Sequence, residues 1–253
     1  MLFKSRNFDN AKTVLTVQDL TVSLPPAAKA PPVLNRISLT IRQGETVCLV
    51  GESGSGKSVT SLAIMGLLPK DALFVTGGKI TLSDTDLLTQ SQGAMQDIRA
   101  RRVAMIFQEP MTALNPVMRV GDQIEEVLES HTSLSADERR KRVIDIMEQV
   151  HLPDVDRIHR SYPHQLSGGQ RQRIMIAMAL VLEPELLIAD EPTTALDVTT
   201  QQQILSLIAE LQEKHGTAVL FITHDMGVVA EIADTVYVMK SGDLVEHAPI
   251  ETL

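Results

Sequence analysis

The chain has one cysteine, no tryptophan and only 3% aromatic residues in 253 positions. A single thiol can form neither an internal disulfide nor a cysteine-based metal cluster, so Cys48, set in an apolar strand pattern, is expected to be an inert buried side chain. Long apolar runs are missing as well. The longest, Ile174 to Leu182, has nine residues, about half of the ~20 that a membrane-spanning helix needs. Met1 to Thr13 carries basic residues with no apolar stretch behind them, which is not the pattern of a secretory signal; the expected location is cytoplasmic. Excess positive charge is also absent. The formal net charge is -9, which argues against a nucleic-acid partner held by a basic surface. The densest basic clusters, Arg99 to Arg102 and Arg139 to Arg142, are expected on solvated helix faces. No repeat of roughly 20 to 50 residues is visible, so a solenoid or propeller is unsupported.

What is present is a set of short apolar strands, and the length permits one large domain or two small ones. Leu15 to Leu24 and Ile37 to Ile41 alternate, and read as two antiparallel strands joined by the proline-rich segment Pro25 to Pro32. Thr46 to Val50 is continuously apolar, as expected for a strand buried on both faces of a parallel sheet. Further strands are expected at Lys79 to Leu82, Val103 to Phe107, Leu186 to Ala189, Ala218 to Thr223 and Thr235 to Met239. Between Gln108 and Leu166 the pattern turns helical. Ser135 with Glu138 has the form of a capping box, and Val143, Met147 and Val150 follow at helical spacing before Pro153. The fold expected is α/β, with an inserted helical subdomain.

Four of these strand patterns end in residues suited to phosphate, metal or water: Val50 into Gly51, Phe107 into Gln108, Ala189 into Asp190 and Glu191, and Thr223 into His224. Ligands of open parallel sheets bind at the carboxyl ends of strands, so the spacing points to one shared site. Gly51-Glu52-Ser53-Gly54-Ser55-Gly56-Lys57-Ser58 fits a phosphate-binding loop between a strand and a helix that continues into Val59. Glycines let main-chain N–H groups wrap phosphates, and the helix N-terminus favours negative charge. Lys57 would neutralise the terminal phosphates of ATP and Ser58 would ligate Mg2+. Asp190 would hold Mg2+ through water, with Glu191 as general base or polariser of the attacking water. Ser167, Gly168, Gly169 and Gln170 form a second anion site at a helix start, with no lysine of its own.

Gly51 to Ser58, Leu166-Ser167-Gly168-Gly169-Gln170 and Leu186-Leu187-Ile188-Ala189-Asp190-Glu191 together resemble the nucleotide-binding subunit of an ATP-binding cassette (ABC) transporter, from about Leu15 to the end of the chain. The resemblance implies a P-loop NTPase core with an antiparallel β subdomain. It implies a flexible lead over 1 to 13, a core formed by 14 to 108 with 166 to 253, and a helical subdomain over 109 to 165. In such a cassette Gln108 would sense Mg2+ and the water, and His224 would contact the γ-phosphate. Two cassettes would pair head to tail, with Ser167 to Gln170 of one closing on ATP held by the other, and with Ala195-Leu196-Asp197 lying across the interface. Glu109 to Pro116, Tyr162 to Gln165 and Asp225 to Asp234 are similar to the dipeptide, oligopeptide and glutathione importers, a subgroup that includes nickel, opine and sugar systems. The implied partners are a second cassette, membrane permease subunits and, through them, a solute-binding protein, at the cytoplasmic face of the membrane. The subgroup continues past Ser241 to Glu246 into a C-terminal extension, which would begin near Leu253. A soluble ABC ATPase of translation or DNA repair is the alternative. One position departs from the family pattern: Leu24 stands where an aromatic usually stacks on adenine, and no aromatic lies between Phe8 and Phe74.

Overall fold

The computed structural model describes residues 6, 8, 10–25, 29–107, 113–194 and 196–252. Gln108, the segment 109–112 and Ala195 therefore lie outside the described residues, and with them the expected metal sensor of the second strand end.

Two sheets organise the chain. The first is antiparallel, in the order β2-β1-β4-β5, from β1 (Thr13–Ser23), β2 (Leu34–Arg42), β4 (Phe74–Leu82) and β5 (Thr85–Asp86). Leu15 faces Ile41, Val17 faces Leu39 and Leu20 faces Ile37 across β1 and β2, so the alternation seen in the sequence becomes one buried face. The second sheet runs β10-β9-β3-β8-β7-β6, from β3 (Thr46–Val50), β6 (Val103–Ile106), β7 (Leu186–Asp190), β8 (Ala218–Thr223), β9 (Thr235–Lys240) and β10 (Asp243–Pro249). Its strands from β9 to β6 are mutually parallel, and β10 pairs antiparallel with β9. The strands β3, β7 and β8 are buried along their whole length, as their unbroken apolar runs require.

One hydrophobic cluster lies on each side of this sheet. The first packs Ile64, Met65 and the β1–β2 sheet against Leu49, Leu220 and Ile222. The second joins Cys48, Val50 and Phe221 to the helices Gly168–Leu180 and Val198–His215 and to the helical region. Cys48 is fully buried and burial pushes its thiol far above the ordinary range, in line with an inert side chain.

The helical region contains Val120–His131, Ala136–Gln149 and Val155–His159. The expected capping box is present: Ser135 Oγ accepts from Glu138 N, and Glu138 Oε2 accepts from Ser135 N at 2.8 Å. Val143, Met147 and Val150 are all buried.

Two expectations fail. Arg99 and Arg102 do not decorate a solvated helix face. Arg99 donates to the carbonyls of Met65 and Gly66, closing the end of the helix Lys57–Met65, and Arg102 bridges Glu185 at 2.6 Å to Thr85 at 2.8 Å. Main-chain carbonyls at a helix end attract guanidinium donors, a tertiary relationship that local sequence does not display. β4 also starts five residues earlier than its alternation suggests. Phe74 to Gly78 is too exposed and glycine-rich to read as a strand alone, and pairing with β1 creates it.

Candidate functional site

The strands β3, β8, β7 and β6 are adjacent and parallel, so their carboxyl ends open on one edge of the sheet. Gly51, Asp190 with Glu191, and His224 stand there as expected.

Gly51 to Gly56 forms the turn from β3 into the helix Lys57–Met65. Gly51, Gly54 and Gly56 have φ of 155°, 79° and 113°, conformations that glycine adopts without a steric cost. A Cβ on Gly51 would run into the Met239 carbonyl, and one on Gly56 would sit 2.6 Å from Leu34 Cδ2. The loop is held from outside by Gly242 N–H, which donates to Ser55 O at 2.9 Å. The helix that follows has no side-chain cap and no acidic residue in its first turn, which leaves its N-terminal donors and positive dipole end for an external anion. Ser55 Oγ is buried with no partner among the described residues. Lys57 is only 6% exposed, and its Nζ donates to the carbonyls of Gly51 at 2.7 Å and Glu52 at 2.9 Å. An ammonium folded onto main-chain oxygens, beside uncapped N–H groups, gives this turn the charge and donors that a polyphosphate would need.

Asp190 ends β7, buried against Ser58 and Ser61; Ser61 Oγ donates to its Oδ2 at 3.5 Å. Burial raises its pKa, the charge of Glu191 adds to the rise, and the Ser58 and Ser61 hydroxyls and Lys57 oppose it. Asp190 and Ser58 Oγ offer the hard oxygen donors that could hold a divalent cation here, whose charge would favour the ionised carboxylate that burial disfavours. Glu191 follows with φ of 47°, an uncommon conformation for a residue with a side chain. Its carboxylate lies between two partners, His224 Nδ1 at 3.0 Å from Oε1 and Thr194 Oγ1 at 3.0 Å from Oε2. His224 is 64% exposed while Glu191 is 16% exposed, so the imidazole covers the carboxylate from the solvent side. Asp225, next in the chain, caps the helix Met226–Ile232 and fixes the turn that carries His224. Sequence reasoning missed Ser61 and Thr194. Ser61 stands one helical turn after Ser58, a spacing that places both on the Asp190 side.

Ser167 to Gln170 is elsewhere. Ser167 caps the helix Gly168–Leu180 in a reciprocal box with Gln170, Ser167 N donating to Gln170 Oε1 at 3.0 Å. The N–H groups of Gly168 and Gly169 begin the helix and have no intrahelical acceptor. A Cβ on Gly169 would lie 2.8 Å from Thr200 Cγ2, so the helix Val198–His215 packs on it at glycine distance. Asp197 caps that helix, and hydrogen bonds from Thr200 hold its carboxyl below the usual range. The cleft at this cradle is lined by residues such as His151, Arg173 and Leu196, and by none of Gly51 to Ser58, Asp190, Glu191 or His224. Gly51 to Ser58, Asp190, Glu191 and His224 thus stand at one edge of the sheet, and the helix start at Ser167 to Gln170 opens on a different cleft. Leu24, where the resemblance places an adenine contact, follows β1 and is 38% exposed.

Among the described residues, no helix is long and apolar enough to cross a membrane. The ABC transporter family profile matches residues 34–194. The dipeptide transport ATP-binding protein of Bacillus subtilis is 51% identical over 233 residues, covering 92% of this chain and 70% of its own. The peptidoglycan transport ATP-binding protein of Agrobacterium fabrum is 47% identical over 242 residues; the match covers 96% of this chain but only 44% of that protein. A dimeric ATP-binding cassette solved in a post-hydrolysis state with ADP and Pi superposes with a TM-score of 0.81 at 28% identity, covering 93% of this chain and 98% of that one.

Proposed function

Because the chain belongs to the ABC transporter family, we propose that it is the ATP-hydrolysing subunit of an importer for peptide-like solutes, active as a head-to-tail pair of cassettes. The observation that carries this reading is the division of the site. Lys57, Asp190, Glu191 and His224 converge on one sheet edge, whereas the Ser167 cradle lies in a different cleft. Two-fold pairing brings each half-site to the other's cradle and makes two complete sites from one pair of surfaces.

Gly51, Glu52, Ser53, Gly54, Ser55 and Gly56 cradle the phosphates, with Val59 behind them in the first helical turn. Lys57 leaves its two main-chain carbonyls for the β- and γ-phosphates. Ser58 and Asp190 hold Mg2+, joined by Gln108; the ion supplies charge neutralisation for phosphoryl transfer. Glu191 orients and polarises the water for in-line attack on the γ-phosphate, and His224 fixes the Glu191 carboxylate and reaches the same phosphate. Ser167, Gly168, Gly169 and Gln170 stabilise the γ-phosphate held by the opposite cassette. Closure with ATP and reopening after hydrolysis then drive the membrane permease subunits, which receive solute from a binding protein. The chain sits peripherally on the cytoplasmic face of the membrane. The helical subdomain over 109 to 165 turns against the core formed by 14 to 108 and 166 to 253.

The reading is tested by ATP-dependent uptake of a labelled di- or oligopeptide in cells whose only copy of the gene carries Glu191→Gln. Uptake should disappear while the permease subunits still co-purify with the chain. Unchanged uptake, or co-purification with ribosomes instead of permeases, would contradict it.

A further inference from the structure

Arg173 lies on the helix Gly168–Leu180, one turn beyond the Ser167 cradle, and its side chain lines the same cleft as Ser167, Gly168, Gly169 and Gln170. Its guanidinium joins three helices. Nη1 donates at 2.7 Å to the carbonyl of Val150, at the carboxyl end of the helix Ala136–Gln149, and Nη2 donates at 3.3 Å to Gln203 Oε1, on the helix Val198–His215. Carbonyls at a helix carboxyl end accept readily from a cation. No carboxylate pairs with Arg173 among the described residues, so these two neutral acceptors define where it stands.

Gly168 and Gly169 leave the start of their helix without side chains on the side that faces Leu196 and Thr200, and Ser167 and Gln170 bond each other. Arg173 and Gln203 follow Gly169 and Thr200 by one turn each, so the fork continues the seam on which Gly169 meets Thr200. The other end of the helix has a counterpart. Arg142, on the helix Ala136–Gln149, donates to the Val181 carbonyl at 3.4 Å and pairs with Glu183 at 2.6 Å. Each of these two helices thus gives a guanidinium to the other's carboxyl end, but only the Arg173 clasp borders the cradle.

We propose that Arg173 is a positioning residue of the anion cradle: its fork, anchored on Val150 and Gln203, sets the direction in which the N–H groups of Gly168 and Gly169 meet the nucleotide of the opposite cassette. This rests on the composite site proposed above, and it adds a residue that touches neither nucleotide nor water. A turn of glycines can approach a phosphate closely because it lacks side chains, and for the same reason it needs a neighbouring side chain to hold its aim. A planar fork with acceptors on two different helices fixes position and rotation together. Misplacement by ~1 Å can lower a rate by ~10²-fold, so loosening the clasp without removing the cradle should have an effect of roughly tenfold.

The two guanidinium clasps separate positioning from plain stability. Arg173→Met should lower kcat for ATP hydrolysis by roughly tenfold with KM within about twofold, since the chain's own phosphate loop is untouched. Combined with Glu191→Gln, it should weaken ATP-induced pairing by a similar factor. Arg142→Met, which opens the clasp at the far end of the same helix, should lower the melting temperature at least as much and leave kcat within about twofold. Gln203→Ala, at an exposed position, should leave the melting temperature within about a degree and still lower kcat, and adding it to Arg173→Met should cause no further loss. Unchanged kcat in Arg173→Met overturns the proposal, as does a kcat that falls in step with melting temperature in both arginine variants. Should Arg173→Met not fold, Gln203→Ala decides: unchanged kcat and pairing overturn the proposal. Should the single Glu191→Gln chain not pair with ATP at all, the composite site itself is at fault, an outcome distinct from a failure confined to the Arg173 and Gln203 variants.

Discussion

His224 Nδ1 lies 3.0 Å from Glu191 Oε1, joining the ends of the neighbouring strands β8 and β7. With Thr194 on the other oxygen, the carboxylate has one defined orientation before any ligand arrives. Glu191→Gln keeps the size of the side chain and can keep both contacts, since the His224 ring nitrogen and the Thr194 hydroxyl can each pair with an amide oxygen or an amide N–H, but it cannot take a proton from water. Hydrolysis should fall by about 10²- to 10⁴-fold with ATP binding retained, and the paired form should accumulate with ATP. Phosphate release and light scattering report these two quantities separately. A variant that binds ATP but stays monomeric contradicts the composite site.

Lys57 carries a different part of the reaction. Among the described residues its Nζ bonds carbonyls of its own loop, Gly51 and Glu52, so removing it costs the free fold only these local bonds while depriving the phosphates of a charge. Lys57→Ala should weaken ATP binding by ~10- to 100-fold, the loss of one or two charge-assisted hydrogen bonds, with a small change in melting temperature. Calorimetric titration with a non-hydrolysed analogue checks it; unchanged affinity would remove Lys57 from the site.

The two glycines of the cradle should respond unequally. A Cβ at Gly168 meets Leu196 Cδ2 at 3.7 Å, an ordinary contact, whereas at Gly169 it meets Thr200 Cγ2 at 2.8 Å, too close to be absorbed without movement. Gly169→Ala should push apart the helices Gly168–Leu180 and Val198–His215 at a cost of ~1–3 kcal/mol, lowering the melting temperature by several degrees. Gly168→Ala should melt close to the parent. Equal melting temperatures for both variants would show that the packing at Thr200 is slack.

The strand ends were legible because a strand buried on both faces must be apolar throughout, so the first polar residue after Val50, Ala189 or Thr223 marks its exit. The Ser135 box was legible for a similar reason: both partners lie within four residues. What could not be read depends on distant neighbours. β10 alternates no clear pattern, since only Leu244 and Ala248 are partly covered, and its strand character comes from pairing with β9. Arg99 and Arg102 looked like surface charge until Met65, Gly66 and Glu185 supplied their partners. Gln172 shows nothing in sequence beyond a polar residue in a helix, yet it is fully buried.

Asp234 lies just before β9, near the opposite ends of these strands, and offers a pH test independent of nucleotide. Its carboxyl is pushed up to about 6, chiefly by burial, and the nearby Glu45 adds to this; the Thr46 N–H at 2.8 Å and Arg6 at 3.7 Å pull the other way. The folded chain therefore binds this proton more tightly than the unfolded chain, whose carboxyl titrates near ~4. Linkage then gives the sign: the contribution of Asp234 favours folding most below about pH 4 and is lost as pH rises through about 6. Its size is at most ~3 kcal/mol, reduced by solvent screening around a carboxyl that is not wholly enclosed. Other carboxylates, such as Glu185 beside Arg102, are held low and push stability the opposite way, so only the difference from a variant isolates the effect. Asp234→Asn, which keeps an acceptor for Thr46 N–H and cannot ionise, should gain melting temperature relative to the parent on going from pH 4.5 to pH 7.5, most of it between pH 4.5 and about pH 6. A difference that stays flat across that range would mean the Asp234 carboxylate is solvated after all, and one of opposite sign would mean that its pairing with Arg6 outweighs its burial.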